Sequence, residues 1–78
     1  MSINNAQCRA ARGLIGMSQN DLATAANVSR STVIEFEKGN STPQRNNLEA
    51  LKAALESAGV EFIAENGSGA GVRLRKSS

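Results

Sequence analysis

The segment that decides the fold is residues 17–39, which read MSQNDLATAANVSRSTVIEFEKG. This pattern predicts two short helices joined by a tight turn. Ser18 can cap the first helix, and Asp21 stands three residues later, which is the spacing of a capping box. Asn27 tolerates the left-handed backbone that a turn between the helices requires. Ser29 is then placed to cap the second helix.

The apolar residues of this segment recur at helical spacing. Leu22 and Ala26 form a stripe on the first helix. Val33 and Phe36 lie three apart on the second helix, and Gly39 ends it. Because helices this short are not stable alone, we expect the unit to present its second helix outward from a larger domain. The outward residues of that second helix are polar: Arg30, Ser31, Thr32 and Glu35.

The segment resembles the helix-turn-helix of Cro/CI-type phage repressors, also called the XRE family. The matching residues are Gln19, Leu22, Ala23, Ala26, Val28, Ser29, Val33, Phe36, Glu37, Lys38 and Gly39. Asn27 departs from the glycine that many relatives carry, but asparagine can make the same turn. The resemblance runs from about Asn5 to Leu55 and does not reach the C-terminal residues. It implies a four-helix, lambda-repressor-like DNA-binding domain.

Helical patterns also flank the segment. Asn4 or Asn5 can cap a first helix that reaches about Leu14. The predicted inner positions of this helix are Cys8, Ala11 and Ile15. Thr42 is predicted to cap a fourth helix, with Pro43 in its first turn. This fourth helix is predicted over about residues 44–57, with Leu48, Leu51 and Leu55 on its apolar face.

Residues 59–78 differ in character from the helical part. Residues 60–64 predict a short strand, and residues 65–71 a glycine-rich loop. The alternation of apolar and basic residues over 72–75 predicts a second strand. The predicted fold class is therefore mainly α, with a helix-turn-helix domain over residues 1–58 followed by a C-terminal β-hairpin.

The hairpin has two possible partners. A lone two-stranded hairpin is marginal in water and leaves open strand edges, so it either pairs with a second subunit or folds back on its own helices. We expect dimerisation, because a small core with few aromatic residues gains stability from a partner. The predicted dimerisation residues are Val60, Phe62, Ile63, Val72 and Leu74.

Composition bounds the class of protein. The 78 residues suffice for one small domain, and aromatic residues make up only 3% of them. The single cysteine, Cys8, cannot form an internal disulfide and fits a reducing cytoplasm. The sequence has neither an apolar run of transmembrane length nor a signal segment. It therefore predicts a cytoplasmic protein that does not contact membranes.

The sequence also argues against an enzyme. It contains one cysteine and no histidine, which excludes the usual Cys–His nucleophile and the common zinc sites. The glycine-rich residues 67–71 lack the Lys-Ser/Thr pair and following helix of a phosphate loop. We therefore predict no catalysis, no cofactor and no metal site. The net charge of +2 is modest for a nucleic-acid-binding protein.

The second helix of the motif is the predicted reading element. An α-helix fits the DNA major groove, and in this class its N-terminal part meets the base edges. The predicted base contacts are Arg30, Ser31, Thr32 and Glu35. Arg30 can donate two hydrogen bonds to guanine, and Glu35 can accept one from cytosine or orient Arg30. The alternative is that both are ordinary solvated residues.

A second group is predicted to hold phosphates without reading sequence. Gln19 stands at a helix N-terminus, whose N–H groups favour an anion, and the resemblance gives it the same role. The full predicted set is Gln19, Asn20, Lys38, Asn40, Ser41 and Arg45. The alternative for the loop members is simple solvation. Arg12 can contact phosphate, but the resemblance implies that it forms a structural ion pair with Glu37.

The resemblance implies a sequence-specific transcription regulator. We expect a dimeric repressor that reads an inverted repeat in double-stranded DNA through residues 29–38. The alternative is an antitoxin that binds a partner toxin and represses its own operon. In that case the C-terminal hairpin is expected to bind the toxin.

Overall fold

A computed structural model describes residues 2–75 of the chain. Within this range four helices precede a two-stranded antiparallel hairpin, which confirms the predicted mainly α fold class. The elements are α1 (Asn5–Ile15), α2 (Gln19–Ala26), α3 (Arg30–Lys38), α4 (Arg45–Ser57), β1 (Val60–Ile63) and β2 (Gly71–Leu74). The end of the predicted hairpin segment, residues 76–78, lies outside the described residues. None of the helices in residues 2–75 has the length and apolar character that crossing a membrane requires.

The helix-turn-helix forms from its local sequence. The Ser18 hydroxyl accepts a 2.9 Å hydrogen bond from the N–H of Asp21, whose carboxylate accepts one from the N–H of Ser18. Asn27 ends α2 with a left-handed φ of 56°. Ser29 caps α3 by accepting a 3.1 Å hydrogen bond from the N–H of Thr32. The predicted caps and turn of this segment are confirmed.

The first helix is capped by the earlier of its two candidate residues. Asn4 Oδ1 accepts a 2.8 Å hydrogen bond from the N–H of Gln7, and Gln7 Oε1 accepts one of 2.9 Å from the N–H of Asn4. These reciprocal bonds make a capping box. Cys8 and Ala11 are buried as predicted, and Ile15 packs against the core while partly exposed.

The predicted start of α4 is wrong. Thr42 does not cap the helix and Pro43 does not occupy its first turn, because α4 begins at Arg45 with Gln44 as its N-cap. Gln44 keeps an extended backbone with ψ of 156°, and Pro43 instead lines a groove beside α3. Pro43 therefore precedes the N-cap instead of standing in the first turn, where proline is commonly found.

The hydrophobic core lies between the four helices and continues into the hairpin. Leu22, Val33 and Leu51 have no exposed surface, and each comes from a different helix. Val60, the first residue of β1, is 1% exposed and belongs to the same core. Helix α2 packs on both α3 and α4, and the inner side of α3 adds Val33 and Phe36 to the core.

The hairpin folds back on the helices of its own chain. The strand register sets Val60 opposite Leu74 and Phe62 opposite Val72. Side chains alternate along a strand, so these four residues share the face that packs on the helices. Phe62 and Val72 are partly buried there, whereas Leu74 is 55% exposed. The opposite face carries an exposed ion pair between Glu61 and Arg73.

Gln7 ties the hairpin to α1. Its side chain is buried, and its Nε2 donates to the backbone carbonyls of Ile63 at 3.3 Å and Gly71 at 3.1 Å. These carbonyls belong to the pair of residues that closes the loop end of the hairpin. Apolar spacing does not predict a buried glutamine here, because its partners lie 56 and 64 residues away in sequence.

Candidate nucleic-acid interface

The outer side of α3 carries all four predicted base contacts. Arg30 and Ser31, in its first turn, are exposed, and Thr32 and Glu35 lie partly exposed beside them. The inner side of the same helix buries Val33, Phe36 and Glu37 in the domain. The structure therefore leaves all four on the outer side of α3, which we call the reading surface (Arg30, Ser31, Thr32 and Glu35). Ser31, Thr32 and Glu35 also line one groove, whereas Arg30 lies outside it.

Two residues of the reading surface are held by neighbours. The Thr32 hydroxyl shares a 2.8 Å hydrogen bond with the Ser29 hydroxyl. Glu35 Oε1 accepts a 3.1 Å hydrogen bond from Asn40 Nδ2, so its partner within the described chain is Asn40 rather than Arg30. These bonds restrict the rotamers of Thr32 and Glu35, and so reduce the entropy that a bound partner would have to remove.

An open groove runs between α3 and the start of α4. Its walls include Ser31, Thr32 and Glu35 on one side and Gln44 and Asn47 on the other. The remaining lining residues are Ser41 and Pro43. Three of these residues, Pro43, Gln44 and Asn47, were not among the predicted DNA contacts. A signal for two of them existed, since Gln44 and Asn47 are polar residues three apart at the beginning of a helix.

Basic residues lie in and after the reading surface, but the acidic residue Glu35 reduces their effect. Arg30, Lys38 and Arg45 are exposed, and so are the predicted phosphate contacts Asn20, Asn40 and Ser41. Glu35 lies within the reading surface itself and brings a negative charge next to the groove. The local electrostatic attraction for phosphate is therefore moderate, in line with the small net charge of +2.

Gln19 lies at the N-terminus of α2 and has a partner inside the protein. Its side-chain Nε2 donates a 3.0 Å hydrogen bond to Glu37 Oε1. A carboxamide nitrogen carries two hydrogens, so one remains for a second acceptor. The position next to the first N–H groups of α2 suits an anion.

The Glu37 side chain is the most highly connected polar group of the described chain. Arg12 Nη2 and Nε donate to its two carboxylate oxygens, each at 2.6 Å. Gln19 and the Cys8 thiol donate two further hydrogen bonds, the latter at 3.3 Å. Glu37 is 3% exposed and Arg12 19%. A carboxylate this deeply buried is destabilising unless it is paired and hydrogen-bonded, and here both conditions are met.

The backbone at the end of α3 is also held from α1. The carbonyl oxygen of Glu37 accepts hydrogen bonds from Arg9 Nη1 and from Asn5 Nδ2. Arg12 Nη1 donates a further 3.0 Å hydrogen bond to the carbonyl of Met17, in the loop before α2. Side chains of α1 therefore position both helices of the helix-turn-helix.

These contacts shift the ionisation of the groups involved. Burial raises the pKa of Glu37, but hydrogen bonds from Arg12, Gln19 and Cys8 lower it by more, so its pKa lies below the usual 4.5. Hydrogen bonding to Glu37 in turn raises the pKa of Arg12. Burial, followed by the hydrogen bond to Glu37, raises the pKa of the Cys8 thiol to about 12. At neutral pH the carboxylate is therefore ionised while the thiol keeps its proton.

We expect Arg12→Ala to destabilise the fold strongly, because it leaves the buried Glu37 carboxylate without its cation. The expected loss of unfolding free energy is about 3–5 kcal/mol. Arg73→Ala removes the exposed pair with Glu61 and is the matched control, with an expected loss below about 1 kcal/mol. Urea denaturation measures both. A larger change in DNA sequence preference than in stability would contradict a structural role for Arg12.

Acid is expected to weaken the fold through Glu37. Because the folded-state pKa of this carboxyl is depressed, its stabilisation is fully present above the unfolded-state value of about 4.5 and is lost as pH falls through the lower, folded-state value. Glu37→Gln should therefore lower stability at neutral pH and flatten its decline below pH 4.5. Urea midpoints across this pH range, with Glu61→Gln as control, test this. An unchanged decline in Glu37→Gln would refute it.

Comparison with known proteins agrees with this geometry. No curated protein matches the chain. A family model described as helix-turn-helix matches residues 9–62, which include α2, α3, α4 and most of α1 and β1. The match covers well over half of the chain. The chain therefore belongs to the Cro/CI-type (XRE) helix-turn-helix family of DNA-binding transcription regulators.

Proposed function

We propose that the protein is a dimeric, sequence-specific repressor that reads an inverted-repeat operator in double-stranded DNA. The observation that carries this proposal is the reading surface, which is polar and exposed while the opposite side of α3 is locked in the core. An α-helix presented in this way fits the major groove. Repression then follows when the bound operator overlaps a promoter.

Within this proposal the first turn of α3 reads the bases. Arg30 donates two hydrogen bonds to the O6 and N7 atoms of a guanine. Glu35, kept in place by Asn40, accepts a hydrogen bond from a cytosine amino group. Ser31 and Thr32 contact bases or phosphates next to these, and the Thr32 methyl group can touch a thymine methyl.

The surrounding residues hold the DNA backbone. Gln19 uses its second amide hydrogen for a phosphate, and the exposed Asn20 lies next to it at the start of α2. The other proposed backbone contacts, all exposed, come at the end of α3 or after it in the chain: Lys38, Asn40, Ser41 and Arg45. Gln44 and Asn47 line the groove next to these residues, and we add them as neutral phosphate contacts.

The dimer is proposed to form through the outer edge of β2. In an antiparallel ladder, hydrogen-bonded residue pairs alternate with pairs that are not hydrogen-bonded. The N–H of Arg75 donates to the carbonyl of Gly59, which makes these two residues a hydrogen-bonded pair. Val72 and Leu74 therefore direct their N–H and C=O groups away from β1. A second copy can pair with this edge, and the exposed Leu74 side chain can pack across the two-fold axis.

The other predicted dimerisation residues contribute less surface. Val60 is enclosed by its own chain, and Phe62 and Val72 already pack partly against its core. Ile63 is partly exposed on the opposite face. Their main contribution to the proposed dimer is to hold the hairpin rigid, so that little conformational entropy is lost on association.

The first prediction for this function concerns Arg30. Footprinting on the DNA upstream of the gene is expected to show a protected inverted repeat. Arg30→Ala should weaken binding to the protected site by about 1–3 kcal/mol and relax the base preference at one position of each half-site. Lys52→Ala, which removes the same charge from α4, is the control and should leave preference unchanged.

An absence of protection at low salt would contradict the repressor proposal. It would favour the antitoxin alternative, which requires a partner protein and predicts that DNA binding appears only in its presence. Co-purification of the chain with the product of a neighbouring gene would then identify that partner.

Arg45 and Asn47 are expected to differ in the salt dependence of binding. A phosphate contact by a cation releases counterions, so Arg45→Ala should reduce the slope of log K against log salt by about 0.9. Asn47→Ala should weaken binding with the slope unchanged, because an amide carries no charge. Asn46→Ala, an exposed neighbour outside the groove, is the control for Asn47. Equal slopes for all variants would exclude Arg45 from the phosphate contacts.

Leu74→Lys is expected to weaken the proposed dimer without unfolding the protomer, because the side chain is 55% exposed. Leu14→Lys is the matched control, since Leu14 is 43% exposed on α1. Sedimentation equilibrium should show a higher dissociation constant for Leu74→Lys only. A stronger effect of Leu14→Lys would place the interface on α1.

A further inference from the structure

The loop between β1 and β2 is organised around one carboxylate. Glu65 Oε1 accepts hydrogen bonds of 2.9 Å from the N–H groups of both Gly67 and Gly69. Asn66 Oδ1 accepts one of 3.2 Å from the N–H of Ser68. Gly67 has a φ of 96°, a conformation that favours glycine. The loop therefore places an asparagine carbonyl, a glycine nitrogen and a carboxylate next to one another at the surface.

The pair Asn66–Gly67 has the connectivity needed for an intramolecular reaction. The backbone nitrogen of Gly67 can close a five-membered ring by bonding to the Asn66 side-chain carbonyl carbon, Cγ. Gly67 has no side chain to obstruct this approach, and the space around its Cα is open. All of these loop residues are exposed, so water and hydroxide reach them.

We propose that Asn66 is a site of spontaneous deamidation whose rate is restrained by Glu65. The Gly67 nitrogen gives up its proton to hydroxide, and its electron pair attacks Asn66 Cγ. The bond from Cγ to the side-chain nitrogen then breaks, and that nitrogen takes up a proton and leaves as ammonia. Water opens the resulting succinimide at either carbonyl, which yields aspartate or isoaspartate.

Glu65 opposes the first step of this sequence. Removal of the Gly67 proton creates negative charge next to an ionised carboxylate, and like charges disfavour that state. Hydrogen bonds from the N–H groups of Gly67 and Gly69 lower the pKa of Glu65, so it is ionised at neutral pH. Cyclisation must also break the hydrogen bonds that fix Asn66 and Gly67 in the folded loop. The intact loop is therefore expected to be protective.

The modification would change the hairpin. Either product adds a negative charge next to Glu65, and isoaspartate also adds a methylene group to the main chain. Both changes disturb the loop that joins Ile63 to Gly71, the pair to which Gln7 is bonded. This inference does not depend on DNA binding, because it follows from the loop alone.

Peptide mapping by mass spectrometry during incubation at mildly alkaline pH tests the proposal. In the wild-type chain, Asn66 should convert slowly from amide to acid, as measured by the mass of its peptide. In Glu65→Ala the same conversion should be several-fold faster. Ser68→Ala keeps the backbone donors and should match the wild type. Asn46, inside α4, should stay unmodified as an internal control.

Two outcomes would overturn the proposal. Faster conversion of Asn46 than of Asn66 would show that the hairpin loop is not the reactive site. Equal rates at Asn66 in the wild type and in Glu65→Ala, with circular dichroism showing both folded, would show that the carboxylate does not restrain the reaction.

Discussion

The Glu37 carboxylate is the group on which the arrangement of the helices depends. It lies at the end of α3, yet its four hydrogen-bond donors come from α1 and α2: two from Arg12 and one each from Cys8 and Gln19. Apolar packing is non-directional and tolerates small shifts between helices. A buried carboxylate does not tolerate such shifts. Any shift that removes a hydrogen-bond donor leaves its charge uncompensated in a low-dielectric environment. Helix α3 is therefore held in one orientation relative to α1 and α2.

This constraint also links stability to the proposed DNA contacts. Gln19 donates to Glu37 from the N-terminus of α2, and Asn40 holds Glu35 just after the end of α3. Residues on both sides of the reading surface are thus positioned by hydrogen bonds inside the protein. With a net charge of only +2, the chain attracts DNA weakly over long range. Fixed geometry and a second subunit would then have to supply most of the affinity.

In the proposed dimer the hairpin serves both the protomer and the assembly. Its inner face completes the core through Val60 and is tied to α1 by Gln7. Its outer strand, β2, keeps an open edge with the exposed Leu74. A small domain with two phenylalanines as its only aromatic residues benefits from the first role. The second role uses backbone groups that the first leaves unpaired.

Features that depend on neighbours along the chain follow from local sequence alone. Caps at Ser18 and Ser29 and the left-handed turn at Asn27 are local, since each involves groups within a few residues, and they were predictable. The four base-contact candidates were also readable, because helical periodicity separates the outer side of α3 from the inner side.

The remaining features arise from contacts between elements that are distant in sequence. The donors to Glu37 from Cys8 and Gln19, the contacts of Gln7 with the hairpin, and the groove beside α4 all join residues from different elements. The packing of the hairpin on its own chain has the same origin. In each case the stabilising free energy comes from groups that become neighbours only when the elements pack together. No local pattern of residues can therefore predict it.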